Sequence, residues 1–369
     1  MIEALKNHIR SYDSAQVFVL RDSKVSCDLP YPTLVIDVSE GNKSLATVER
    51  VWCWLAEHNA TRKAVLINVG GGCLCDIGGF AAATYMRGID FINVPTTLLA
   101  MVDAAIGGKT GVNFRPAAPD RIQTAALTEY RLLKNYIGAF RLPKAVVIET
   151  AFLETLPAEE LLSGFGEMLK TALLMGGDTL SKALQITELR QDHYGTSSGF
   201  RAAFLQPELT NLIAACKSYK ESIVAEDPEE KGLRKVLNFG HTVGHAMEEM
   251  SEVRSQRSEV RSQMSDVRSR HGYCVAWGIV AELYLSVVVL GCKRELLTQI
   301  SHFVIEHFGK PQCNCKQEGE LIALMHKDKK NADSQDINFT LLRQAGEPVI
   351  DQVVDEGLIQ EAIEYLFSL

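Results

Sequence analysis

The sequence predicts an α/β half built on a parallel sheet, followed by a mainly helical half, with the boundary near Thr150. Three observations carry this reading. Short apolar, β-rich runs alternate with helical stretches over the first 150 residues. Those runs lack a polar face, as strands covered by helices on both sides do. After residues 145–148 the pattern turns helical, and 337–342 is the one convincing strand that follows.

In order, residues 17–20 and 33–37 read as strands and 45–58 as an amphipathic helix. Residues 64–69 form an apolar strand ending in Gly70, Gly71 and Gly72; 76–85 reads as a helix and 90–94 as a strand. Helical patterns then cover 152–175, 207–225, 240–250, 273–290 and 318–325. Two segments interrupt the pattern. Residues 251–270 read SEVRSQR-SEVRSQM-SDVRSR, a seven-residue repeat. Val253, Val260 and Val267 supply one regular apolar position per repeat, where a coiled-coil seam needs two. The segment is expected to be a solvated helix or loop, the alternative being a partner or anion site using its five arginines. Residues 115–133 have no clear period and are expected to form a surface insertion.

The 369 residues are too many for one compact core, and the 46% hydrophobic fraction fills two. With 38 basic against 46 acidic residues the net charge is −8, which disfavours a general nucleic-acid or anionic-membrane binder. No uninterrupted apolar run approaches the ~20 residues of a membrane span. The first residues lack the order of a signal peptide. Nine cysteines without framework spacing fit a reducing cytoplasm.

Several residues can carry chemistry. A strand running into Gly70, Gly71 and Gly72 and then a helix is a phosphate-cradling arrangement or a tight turn. Asp76 can cap that helix or accept from a ribose hydroxyl. Arg87, the VPTTLLA run of 94–100, Asp103 and the Gly107-Gly108-Lys109 turn cluster near strand ends, where α/β proteins bind ligands. His241 and His245 lie four apart and share a helix face, with Glu248 one turn on, a pattern suited to metal binding, proton handling or plain packing. Gly240 and Gly244 weaken that helix by about 1 kcal/mol each, so something is expected to approach its backbone closely. Glu167 and Lys170 lie one turn apart and suit either an exposed ion pair or a site. Cys73 with Cys75, and Cys313 with Cys315, lack partners at zinc-site spacing and are expected to be structural.

The order of these motifs resembles the 3-dehydroquinate synthase family of sugar-phosphate cyclases. The motifs are GGG with Asp76, GF-AA-TYMRG (79–88), VPTTLLA, Asp103 before GGKTGVN, GEMLK (166–170), NFGHTVGHAME (238–248), His271-Gly272 and the 328–330 DKK segment. The resemblance implies a Rossmann-like, parallel-sheet NAD-binding domain over 1–150. A helical metal- and substrate-binding domain would follow over 151–369, with a cleft between them and a homodimeric assembly. It implies Glu167, His241 and His271 as ligands of one divalent metal, zinc or cobalt. His245 and Glu230 match proton-handling positions, with Lys170 and Asp103 also catalytic. Arg87, Asp103, Lys109, Asn135, Lys170, Lys220, Arg234, Asn238, His241, Lys329 and Lys330 match substrate contacts. NAD would meet Asp22, Glu40, Lys43, Gly71, Gly72, Asp76, Thr96, Thr97, Lys134, Phe152 and Thr155.

The implied reaction converts 3-deoxy-D-arabino-heptulosonate 7-phosphate to 3-dehydroquinate and phosphate. It runs by transient oxidation of C5, β-elimination of phosphate, return of the hydride and aldol closure. Lys220 and Arg234 suit a substrate carboxylate, which the neutral-ended sugars of other cyclases lack. The chain departs from the family where Ser163 replaces Asn, Cys75 replaces Gly and Tyr273 replaces Glu.

Overall fold

A computed structural model describes residues 2–115, 132–188, 207–257, 270–311, 317–326 and 336–369. Most of the 115–133 segment, most of the 251–270 repeat, Cys313, Cys315, Lys329 and Lys330 lie outside the described residues. The chain divides into two compact units, Met1–Leu153 and Glu154–Leu369.

The first unit is built on a five-stranded, wholly parallel sheet. Its strands are β1 (Val17–Asp22), β2 (Thr33–Ile36), β3 (Val65–Gly70), β4 (Asp90–Pro95) and β7 (Ala145–Val146), in the order β2-β1-β3-β4-β7. Alternation along the strands feeds two cores. Phe18, Leu20 and Leu66 point to the face packed by helices Leu45–Glu57 and Gly72–Thr84. Val17, Val19, Val65 and Ile67 point to the other, where Leu5 and Ile9 cover them. Each fully buried Leu or Ile contributes about 1.5–3 kcal/mol, so the sheet is held from both sides.

The strand order reverses direction between β1 and β3. That is a topological switch point, where the carboxyl ends of parallel strands leave a crevice. Asp22 ends β1, Gly71 and Gly72 follow β3, and Thr96 and Thr97 follow β4. An antiparallel hairpin of β5 (Lys109–Phe114) and β6 (Leu133–Phe140), which the sequence patterns did not predict, adds to this unit. Gly111 and Gly138 face each other across it; a Cβ on Gly138 would lie 2.3 Å from the Thr110 carbonyl oxygen. Polar Asn135 and glycines hid the period-two signal.

The second unit packs helices Ala158–Met175, Pro207–Glu226, His241–Arg257, His271–Leu290 and Arg294–Phe308 around each other. A short antiparallel pair, β8 (Asn338–Leu342) and β9 (Pro348–Val353), adds to them. Helix His271–Leu290 is central. By length and composition it could cross a membrane, with a mean hydropathy of 1.9, although no uninterrupted apolar run was seen in sequence. Its apolar window is 72% buried and its Glu282 is fully buried, so it is the core helix of this unit.

Candidate active site

Glu167, His241 and His271 come from three helices, and one donor atom of each lies within 4.8 Å of the others. Among the described residues this is the only such group of three or more His, Cys, Asp or Glu side chains. Glu167 Oε1 is 3.2 Å from His241 Nε2 and 3.0 Å from His271 Nε2. Glu167 is wholly buried, and Lys170 Nζ lies 2.5 Å from its Oε2. The alternative of an ordinary exposed ion pair is therefore corrected.

Glycines put the helices this close. Each candidate donor has one as a chain neighbour: Gly166, Gly240 and Gly272. A Cβ on Gly272 would sit 1.7 Å from the Ser163 carbonyl oxygen, and one on Gly166 2.1 Å from that of Gly272. A Cβ on Gly278 would sit 2.1 Å from the Gly240 carbonyl oxygen. Gly240 itself has φ +77°, which only glycine adopts without strain. What approaches the Gly240–Gly244 backbone is helix His271–Leu290. Ser163 also ties two helices together, its hydroxyl accepting from the Gly272 N–H at 3.2 Å.

Outer contacts orient both imidazoles. His241 Nδ1 lies 3.1 Å from the Phe239 carbonyl oxygen, which can only accept, so Nδ1 carries the proton and Nε2 presents its lone pair to Glu167. Burial pushes the His241 pKa down to about 3, against the pull of Glu167. A neutral nitrogen thus faces a carboxylate oxygen, an arrangement that a cation between them satisfies. His271 Nδ1 lies 2.9 Å from Glu248 Oε2. Burial lowers its pKa, but hydrogen bonds to Glu167 and Glu248 outweigh that and raise it to about 10. Burial raises the Glu167 pKa, but the Lys170 ammonium and the hydrogen bond from His271 hold it well below the usual carboxylate range. Glu248 is therefore not a third donor on the His241 helix; it is the carboxylate behind His271, a common support for ligating histidines. His245 stands one turn from His241, with ring centroids 5.1 Å apart, and 5.9 Å from the His271 ring.

Three cations of the same unit are buried. Lys170, Lys220 and Arg234 are 1%, 8% and 2% exposed, where side chains of this charge are rarely found without anionic partners. The Arg234 guanidinium donates to the Pro228 carbonyl at 2.7 Å, and the backbone N–H of Arg234 donates to Asp227 at 3.0 Å. Asn238 donates to Glu230 Oε1 at 3.1 Å, and Glu230 holds the left-handed backbone at φ +61°.

In the first unit, Lys43 is buried and pairs with Asp76 at 2.6 Å. It also donates to the Asn135 side chain, whose backbone N–H donates to Asn113 at 2.9 Å. Asn113 in turn donates to Glu40 at 2.8 Å. Four residues expected at a cofactor or the substrate (Glu40, Lys43, Asp76, Asn135) thus form one connected network. The expectation of Asp76 as the cap of its helix is corrected: helix Gly72–Thr84 starts at Gly72, with Gly71 at the cap position and no side-chain cap there. Burial pushes the Cys73 thiol up to about 12 despite the nearby Lys43, so it is protonated at neutral pH in the metal-free chain. Asp103 lies in a π-turn, Ala100–Ala104, a rare device. Lys109 opens β5 and is exposed, as is Arg87, which has φ +70°. Lys134 is half-buried on β6, Phe152 is half-buried near the end of the first unit, and Thr155 is exposed at the start of the second.

Sequence reasoning missed Glu282, whose carboxylate accepts from the Gly240 N–H at 2.6 Å and the Thr242 N–H at 3.0 Å. Its lone position in an apolar helix was the available signal.

The family models describing the 3-dehydroquinate synthase N-terminal and C-terminal domains match residues 33–119 and 164–331. A 3-dehydroquinate synthase of Parabacteroides distasonis is 36% identical, the match covering 98% of this chain and 94% of that protein. The chain belongs to the 3-dehydroquinate synthase family. Another family member, from Thermococcus kodakarensis, is 35% identical over 90% of this chain and 80% of its own length. Among solved structures, a 2-deoxy-scyllo-inosose synthase complexed with carbaglucose-6-phosphate, NAD+ and Co2+ superposes with a TM-score of 0.73. It is 22% identical and covers 99% of this chain and 94% of that one. A 2-epi-5-epi-valiolone synthase from Streptomyces hygroscopicus, with NAD+ and Zn2+ bound, gives 0.72 at 22% identity, covering 96% and 91%. A dehydroquinate synthase-like fold, a parallel-sheet α/β unit followed by a mainly helical one, is thus what these cyclases and this family member share.

Proposed function

We propose that this chain is a 3-dehydroquinate synthase, a carbon–oxygen lyase converting 3-deoxy-D-arabino-heptulosonate 7-phosphate to 3-dehydroquinate and phosphate. The observation that carries the reading is the convergence of Glu167, His241 and His271 in a member of this family. One carboxylate and two imidazoles suit a divalent zinc or cobalt ion that keeps positions open for substrate. When bound, the ion supplies Lewis acidity toward the substrate hydroxyls, and NAD supplies a hydride acceptor that is restored within each turnover.

The remaining chemistry belongs to side chains of this protein. Lys170, Lys220 and Arg234 bind the anionic groups of the substrate, and their burial strengthens each contact by lowering the local dielectric. Arg87, Asp103, Lys109, Asn135, Asn238, Lys329 and Lys330 complete the substrate contacts. His245 takes up the proton released as a hydroxyl is oxidised and returns it on re-reduction. Glu230, aligned by Asn238, accepts a second proton. Gly71 and Gly72 approach the cofactor pyrophosphate at an uncapped helix N-terminus. Asp22, Glu40, Lys43, Asp76, Thr96, Thr97, Lys134, Phe152 and Thr155 hold the rest of NAD. The same reading places the enzyme in the cytoplasm as a homodimer.

The test is release of phosphate from the heptulosonate phosphate in the presence of NAD and zinc. Phosphate should appear without net rise in NADH absorbance, and a chelator should stop it. Stoichiometric NADH would indicate a dehydrogenase instead, and no phosphate would refute the proposal.

A further inference from the structure

Glu282 is fully buried in the middle of helix His271–Leu290, eleven residues beyond His271. Its Oε2 accepts from the Gly240 N–H at 2.6 Å. Its Oε1 accepts from the Thr242 N–H at 3.0 Å and the Val243 N–H at 3.4 Å. These amides belong to the first turn of the helix that begins with His241, where N–H groups have no intrahelical acceptor. Their acceptor lies on another helix, the one that carries His271. The carboxylate also meets the positive end of the His241 helix dipole.

We propose that Glu282 is a positioning residue of the metal centre: it fixes the His241 backbone to the helix of His271 and so sets the distance between the two imidazoles before any ion binds. The inference rests on the reading of Glu167, His241 and His271 as that centre. The geometry supports it in three ways. The anchored amides bracket His241 on both sides in sequence. Gly278, one turn before Glu282 on the same helix, lets the two backbones touch; a Cβ there would lie 2.1 Å from the Gly240 carbonyl oxygen. The His241 ring is itself fixed to its own backbone through Nδ1 and the Phe239 carbonyl, so a shift of the anchored turn moves Nε2 with it. A rigid donor set binds more tightly because less ordering is left to the binding step.

Two substitutions separate charge from reach. Glu282→Gln keeps the length but puts an amide NH2 against amide donors; Glu282→Asp keeps the charge but shortens the anchor by one methylene. Zinc affinity is measured by chelator competition on the full chain, and the cobalt form is followed by its visible absorption. Either folded variant is expected to bind zinc about tenfold or more weakly and to show an altered cobalt band. Folded variants with wild-type affinity and an unchanged cobalt spectrum would overturn the role and leave Glu282 a plain helix cap. Hydrogen exchange on the wild-type chain needs no variant to fold. The amides of Gly240, Thr242 and Val243 are expected to be protected before zinc is added; exchange that slows only on adding zinc would overturn the proposal. A wild-type chain that binds no zinc would instead defeat the metal-centre reading itself.

Discussion

Lys170 Nζ lies 2.5 Å from Glu167 Oε2, one helical turn apart, with the two side chains 1% and 0% exposed. The ammonium keeps Glu167 ionised in a site that burial alone would neutralise. Lys170 therefore sets the charge of the oxygen that both imidazoles face.

Replacing Lys170 by Met leaves that carboxylate buried beside neutral His241. Loss of one partner of a buried pair costs about 3–5 kcal/mol, so the metal-free variant should unfold at clearly lower urea concentration. Added zinc should recover part of the loss. Unchanged urea midpoints with and without zinc would show that the pair is not coupled to the site.

The two histidines give stability of opposite sign with pH. His271 is raised from 6.5 to about 10, so its contribution is complete below pH 6.5 and is lost as pH climbs toward 10. His241 is depressed to about 3 and is held neutral, so stability falls as pH drops from 6.5 toward 3. A cation must displace the His271 proton. Apparent zinc affinity should thus rise about tenfold per pH unit through the neutral range, with release of one proton. Chelator competition from pH 6 to 9 checks this, and a flat profile would contradict it.

Gly272 permits a backbone contact that no side chain tolerates. Gly272→Ala would place a Cβ 1.7 Å from the Ser163 carbonyl oxygen, so the helices bearing Glu167 and His271 must separate. Overpacking of this kind costs about 1–3 kcal/mol or more, and metal affinity should fall with stability. A wild-type melting temperature with wild-type zinc binding would show that the crossing is soft.

In the first unit, Asp76→Ala strips buried Lys43 of its ion-pair partner. Hydrogen bonds to charged groups contribute about 1.5–3 kcal/mol, so NAD affinity should drop at least tenfold by fluorescence titration. No change in the NAD dissociation constant would place the nucleotide elsewhere.

The alternation of strands and helices was legible because β1, β3 and β4 are apolar on both faces, a pattern only a covered parallel sheet needs. The hairpin of β5 and β6 was not, since Lys109, Asn113, Asn135 and two glycines break any period of two. Glu167, His241 and His271 are 74 and 30 residues apart in sequence, and only the order of surrounding motifs joined them beforehand. The glycines beside them were visible, yet which backbone would approach them is a tertiary fact. Glu248 and Glu282 show the same limit. Each is an acidic residue on a helix, and only packing assigns one to His271 and the other to the turn of His241.

In the proposed site Glu167, His241 and His271 hold one divalent ion while His245, one turn from His241, handles protons. Metal content and turnover of His241→Ala and His245→Ala test it most directly. His241→Ala should purify without stoichiometric metal, whereas His245→Ala should retain one ion per chain and lose turnover. Full metal content in both variants would contradict it.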